Sequence, residues 1–316
     1  MRIVSTSPSF AKYSTEPLTL LGEQAIECVN LPADISEDEF IARAKGAQAA
    51  IVAFNSINAR VLDALPELRI VCKHGVGVDN IDLPAARERK VWVCNVPDSN
   101  KHAVADYTFA LLLASARKIA QADQQTKAGE WPRLFGADVH GKTLGIIGLG
   151  NIGKEVARRA AGFSMRVIAH DPFPDQAFAD ANGIRLVALN ALLGEADYVT
   201  LHIGLNDATH HLIGAERLAL MKPHAHLINA ARGGIIDENA LFAALQKGHL
   251  GGAALDVFEE EPVTRHPLYA LPNVIASPHI AGYTPGALDI LSLTCVRNIV
   301  AVLKANARPE FVVNGL

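Results

Sequence analysis

"LGIIGLGNIG", Leu144 to Gly153, carries Gly148, Gly150 and Gly153 in a GxGxxG spacing. That spacing alone is a weak signal, because a tight turn without a ligand can use the same glycines. The surroundings decide the reading. An apolar, strand-like run, 143–147, leads into the glycines. A helical pattern follows over 152–162, with Ile152, Val156 and Phe163 on one face. The next apolar run, "RVIAH", ends in Asp171, about twenty residues beyond the loop. Each part has a reason. Gly148 permits the turn, Gly150 lets the backbone approach a pyrophosphate, and Gly153 allows close helix–strand packing. Asn151 and Ile152 open a helix whose free N–H groups and dipole favour an anion. Asp171 can accept from both ribose hydroxyls and would repel a 2′-phosphate. No Arg or Lys follows it in "HDPFPD". The reading is a Rossmann unit for NAD.

The same strand–helix alternation extends in both directions. "RIVS" near residue 2, "AAIVAF" near 49, "LRIVCKH" near 68 and "VWVCNV" near 91 read as buried parallel strands, with helices over 37–45 and 83–88. A long helix is expected over 101–128, capped by Asn100. It is apolar on more than one face, which implies burial in its own core or against a second subunit. A second series of strands follows over 143–147, 166–170, 198–202, 226–229, 252–255 and 274–276, with helices starting near Gly150, Leu189, Gly214 and Glu238. Thr284-Pro285 reads as cap and first turn of a last helix. The fold class is therefore α/β, with two doubly wound parallel-sheet domains. The domains are 101–281 for the cofactor and 1–100 plus 282–316 for the substrate.

Composition excludes several classes. The chain has 316 residues and a formal net charge of −4, which gives no basis for nucleic-acid binding. No apolar run is read as long enough for a membrane span, and "MRIVSTSPSF" has no signal core, so a cytoplasmic protein is expected. Cys28, Cys72, Cys94 and Cys295 form no CxxC pair and read as buried thiols. The twelve histidines include the pair His210-His211, but none has zincin or finger spacing, and no metal is expected.

Three segments at strand ends carry candidate chemistry: "LINAARGGIIDE" around Arg232, "ALDVFEEEP" around Asp256 and Glu261, and "ASPHIAGYT" around His279. Together they suit hydride transfer to a 2-keto acid. An Arg forks onto the carboxylate and polarises the carbonyl. A His protonates the oxygen, and a Glu holds the His and favours its charged form. Each has a plainer reading: Arg232 in a structural ion pair, Glu261 in a solvated acidic run, and His279 as a satisfied core residue.

The segments "GVGVDNID" (75–82), "GKTLGIIGLGNIG" (141–153), "LMKPHAHLINAARGGIIDE" (220–238), "GGAALDVFEEEP" (251–262) and "NVIASPHIAGYT" (273–284) resemble the D-isomer-specific 2-hydroxyacid dehydrogenases, in that family's order. The resemblance implies a flavodoxin-like substrate domain into which the Rossmann domain is inserted. It also implies an active site in the cleft between them and a homodimer built through the cofactor domain; closure about the two crossings, near 97–101 and 281–284, would exclude water. It casts Arg232 as the substrate-binding arginine, Glu261 as the partner of the histidine and His279 as the acid/base. It puts His202, Ile203, Ala230, Arg232, Asp256, His279 and Gly282 on the cofactor side. The backbone of Val76 and Gly77 would hold the substrate carboxylate, with Asn55 and Ser56 facing it. The chain departs from the family at Asp106, Gly204 and Asn206, where Glu, Pro and Thr are usual.

"KHGVGVDNID" and "AGEWPRLFG" look most like the short phosphoglycerate-dehydrogenase-like branch, which implies a D-3-phosphoglycerate-like substrate. Lys73 and Arg133 are then candidate phosphate partners, or else plain surface charges. Glyoxylate or hydroxypyruvate reduction is the alternative within the class. A non-catalytic NAD(H) sensor is the alternative outside it, since fold does not fix function.

Overall fold

Parallel strands covered by helices on both faces must be apolar along their whole length. That is why the short Val-, Ile- and Ala-rich runs form the sheets of this chain. The computed structural model describes residues 1–316, which divide into two units: Met1–Asn100 with Tyr283–Leu316, and Lys101–Gly282.

The first unit begins β1 (Arg2–Ser5), α1 (Glu16–Glu23), β2 (Glu27–Asn30), α2 (Glu37–Ala44), β3 (Ala49–Val52), α3 (Ala59–Ala64), β4 (Ile70–Lys73), α4 (Leu83–Glu88) and β5 (Trp92–Cys94). Its sheet is parallel, in the order β2-β1-β3-β4-β5, with Ile3 opposite Ala49 and Ala49 opposite Ile70. That is the flavodoxin-like order. Ser36, Asn58 and Asp82 cap α2, α3 and α4 by accepting from Glu39, Val61 and Ala85 N–H. The reading of the sequence misses β2, "ECVN", because an edge strand with both ends exposed lacks the continuous apolar signal.

The second unit opens with α5 (Lys101–Arg117) and α6 (Ile119–Lys127). One helix over 101–128 is expected, but the chain breaks at Lys118, whose φ is +54°. The difference is burial: α5 has nine buried residues, while none of α6 is fully buried. Asn100 does not cap α5, and its Oδ1 has no hydrogen-bond partner. There follow β6 (Thr143–Ile147), α7 (Asn151–Ala161), β7 (Arg166–His170), α8 (Gln176–Ala181), β8 (Arg185–Leu186), α9 (Leu189–Glu195), β9 (Tyr198–Leu201), α10 (Ala215–Leu220), β10 (His226–Asn229), α11 (Glu238–Gln246), β11 (Gly252–Leu255) and β12 (Val274–Ala276). The parallel order β12-β11-β10-β9-β6-β7-β8 reverses direction between β6 and β9. That reversal is the switch point at which open α/β sheets bind ligands.

The chain returns to the first unit through α12 (Pro285–Leu303), capped by Thr284 Oγ1 accepting from Ala287 N–H. Contrary to the sequence reading, α12 is long and apolar enough to cross a membrane. Its apolarity is spent inside the protein: Leu288, Leu291, Cys295, Val296 and Ile299 pack in one core with Ile3, Ile51 and Ile70. Cys72, Cys94 and Cys295 are buried free thiols there, and burial pushes Cys94 up to about 12.

Candidate active site

The loop after β6 has the steric form a dinucleotide needs. Gly148 has φ +95°, and a Cβ there would meet the His202 carbonyl oxygen at 2.4 Å. A Cβ on Gly153 would meet the Gly148 oxygen at 2.1 Å, so helix and loop are in backbone contact. Above Gly150 a Cβ would meet nothing within 4 Å, which leaves that backbone open to approach. The first intrahelical bond of α7 runs from Lys154 N–H to Gly150 O, 2.9 Å, so the N–H groups of Asn151, Ile152 and Gly153 precede it. Asp171 follows β7 and braces the loop: its Oδ2 accepts from Leu149 N–H and its Oδ1 from Phe173 N–H, both at 2.8 Å. Lys154 is tied to Asp175 at 2.6 Å. No basic side chain lies over 172–175 to greet a 2′-phosphate.

His202 and Ile203 stand against Gly148, as a Cβ there would also meet Ile203 Cγ2 at 2.7 Å. His202 Nε2 pairs with Thr200 Oγ1 at 3.0 Å, while its Nδ1 is shut off from solvent and has no partner. Burial lowers this histidine to about 3, so it is neutral. A neutral ring with one orphaned nitrogen beside the glycine loop fits a polar ligand there. The residues present fit NAD.

Three strand ends of the same sheet carry the candidate reactive side chains. Arg232 follows β10 and leads a 3-10 turn, Gly233–Ile235. Asn229 shapes that segment: its Nδ2 donates to Arg232 O at 2.8 Å and its Oδ1 accepts from Ala231 N–H at 3.0 Å, across Ala230. Glu261 lies beyond β11. Its Oε1 accepts from Phe258 N–H at 2.9 Å, and its Oε2 lies 2.7 Å from His279 Nδ1. Burial acts to raise Glu261. The hydrogen bond and charge of His279, the Phe258 N–H and the charge of Arg232 outweigh it and hold the carboxyl below its usual value. Side-chain exposures of 30% for His279 and 28% for Glu261 leave the pair open to a ligand.

His279 follows β12 with φ +56°, a conformation that costs a non-glycine residue. Asp256, at the end of β11, holds it there. The Asp256 carbonyl accepts from His279 N–H at 2.7 Å, Oδ1 from Ser277 Oγ at 2.6 Å and Ile280 N–H at 3.0 Å, and Oδ2 from Ala281 N–H at 2.8 Å. This corrects the expectation that Asp256 contacts cofactor. It is 0% exposed, and its role is to brace the turn carrying His279 ahead of Gly282.

In the first unit, Asn55 and Ser56 follow β3, and Val76 and Gly77 follow β4. The N–H groups of Val76 and Gly77 find no acceptor within the chain, an arrangement suited to an anion. Lys73 corrects a second expectation. It is 8% exposed, and its ammonium donates to the Ala53 carbonyl and to Asn80 Oδ1. Asn80 Nδ2 donates on to Asn55 O at 2.6 Å, so Lys73 straps the two loops together. Arg133 lies on an exposed stretch of the second unit.

Some residues escape the sequence reading. Gly233 is one: a Cβ there would lie 1.9 Å from Phe258 C, so only glycine lets the Arg232 and Glu261 segments meet. Glu238 is another. Its Oε1 accepts from Glu259 N–H at 2.8 Å and its Oε2 pairs with His266 at 3.0 Å. The doubled glycine after Arg232 is the only local signal for the first, and nothing local marks the second.

Comparison with known proteins agrees with this geometry. Residues 109–281 match the NAD binding domain model of the D-isomer specific 2-hydroxyacid dehydrogenases. A D-3-phosphoglycerate dehydrogenase of Methanocaldococcus jannaschii is 41% identical over 90% of this chain. The chain spans about half of that enzyme's length, 55%. A glyoxylate reductase of Korarchaeum cryptofilum is 39% identical, covering 88% of this chain and 86% of the reductase. The crystal structure of a Thermus thermophilus protein superposes with a TM-score of 0.92 at 38% identity, covering 99% of this chain and 100% of that one. The NAD-binding loop, the paired His and Glu and these relatives converge: the chain belongs to the D-isomer specific 2-hydroxyacid dehydrogenase family.

Proposed function

We propose that the chain transfers hydride reversibly between NAD(H) and a short D-2-hydroxy acid and its 2-keto acid. The observation that carries this reading is the 2.7 Å pairing of His279 Nδ1 with Glu261 Oε2, within the electrostatic reach of Arg232. Bound NADH supplies the hydride that the 2-keto carbon receives. His279 holds the matching proton on Nε2, because Nδ1–H is committed to Glu261, and delivers it to the carbonyl oxygen. Glu261 fixes the ring's tautomer and its angle. Arg232 draws on the carbonyl oxygen and carboxylate through its planar fork.

The substrate we favour is the unphosphorylated acid, glyoxylate or hydroxypyruvate. Lys73 is buried and engaged with Ala53 and Asn80, which leaves only the exposed Arg133 of the two candidate phosphate partners. We further propose a homodimer. The stretch from α6 onward supports it, since no residue of α6 is fully buried and Trp131 and Phe135 are 83% and 88% exposed.

Loss of NADH absorbance against glyoxylate, hydroxypyruvate and hydroxypyruvate phosphate tests the reading. Turnover of the first two at higher kcat/KM than the third is expected, with Arg133→Gln leaving it unchanged. Preference for the phosphate, lost in Arg133→Gln, overturns the substrate assignment. Silence with all three, despite NADH binding, overturns the catalytic one.

A further inference from the structure

The sequence pair His210-His211 has no ligand spacing of its own, but the fold adds a third donor from far along the chain. His211 Nε2 lies 3.0 Å and His210 Nε2 3.4 Å from the same oxygen, Glu259 Oε1. A tetrahedral centre with bonds of about 2.0–2.1 Å has ligand–ligand edges of roughly 3.3 Å. The three donor atoms all lie within 4.8 Å of one another. A surface ion pair needs one histidine, whereas here two adjacent ones converge on one oxygen. We propose that His210, His211 and Glu259 bind a borderline divalent cation of the zinc class, with water completing the coordination. Two imidazole nitrogens and one carboxylate oxygen are the donor set such an ion selects over magnesium or calcium.

The surroundings suit this use. The side chains are 51%, 38% and 39% exposed, so an ion reaches them directly. The two rings stack at 3.9 Å with 23° between their planes, and coordination opens that stack by rotation about exposed bonds. The backbone behind them is already held. Asn206 Oδ1 accepts from Ala208 and Thr209 N–H, and Thr209 Oγ1 donates to Gly204 O. His211 N–H donates to Gly234 O at 2.8 Å, and Glu259 N–H donates to Glu238. The ion therefore ties the His210-His211 loop, itself hydrogen-bonded to Gly234 two residues past Arg232, to Glu259, two residues before Glu261. Its consequence, a fixed spacing between those side chains, rests on the proposed function; the site itself does not.

Calorimetric titration of the full chain with zinc chloride, with thermal melts at each zinc level, tests the site without reference to turnover. Expected is one zinc per chain in the wild type that His210→Asn/His211→Asn lacks, and an affinity about tenfold or more weaker in Glu259→Gln, since even supporting partners of ligands cost 10–100-fold. Zinc should raise the melting temperature of the wild type and of a control, His140→Asn/His224→Asn, but not of the double variant. Equal zinc binding by wild type and both site variants, or none by the wild type, overturns the proposal and leaves an exposed ion pair only. If the double variant melts abnormally in chelator, Glu259→Gln alone decides.

Discussion

His279 sits at φ +56°, and four hydrogen bonds from 277–281 to Asp256 hold it there. The strain is local and the restraint is buried, the usual arrangement for a reactive side chain that must not drift. His279→Ala should therefore cost turnover by about 10²–10⁴-fold, the worth of a positioned acid, with NADH binding unchanged by fluorescence titration. Wild-type turnover in that variant would refute the assignment. The fold lowers the Glu261 pKa, so the ionised, His-paired form is the one stabilised. That stabilisation is complete above the ordinary glutamate value of about 4.3 and fades only as pH falls through the lower folded value. The pH–rate profile should accordingly show no Glu261 limb above about pH 5. As candidates, Arg232, Glu261 and His279 are legible from residue type beyond strand ends. Asp256 is not, because a buried carboxylate and a ligand-facing one look alike in a string of letters.

Among the elements, the segment between β10 and α11 meets the segment after β11 backbone to backbone at Gly233. Gly233→Ala puts a methyl group 1.9 Å from Phe258 C, which neither main chain can relieve without moving. The expected result is a loss of about 1–3 kcal/mol of stability, as for overpacking, together with a fall in kcat/KM as Arg232 and Glu261 separate. Thermal melts and steady-state kinetics on one variant measure both, and unchanged kinetics would dissociate the contact from the site. Strands buried on both faces, such as β3, β4 and β9, are readable because their residues form unbroken buried runs. The edge strands β2 and β8 are not: both ends of β2 are exposed, and β8 is only the two residues Arg185–Leu186. The break at Lys118 is hidden for a related reason. Helical spacing runs through it, and only the loss of burial beyond α5 ends the helix.

Across the full chain, Trp131 and Phe135 stand on a stretch that the protein itself does not cover. Trp131→Ser/Phe135→Ser should shift sedimentation equilibrium from dimer toward monomer, and a wild type that sediments as a monomer would remove the dimer proposal. The α/β class, the cofactor loop and the candidate residues Arg232, Glu261 and His279 are all readable from the letters. They depend on local spacing: a strand period, a glycine turn, and an acid or base next to a strand end. Which polar groups are already taken is visible only once the chain has folded. Lys73 is a buried strap, α12 a core helix despite its membrane-like length, and Glu259 a neighbour of His211 across 48 residues and of His210 beside it. Hydrogen-bond partners and burial arise from contacts between distant segments, and no window of neighbouring letters contains both members of such a pair.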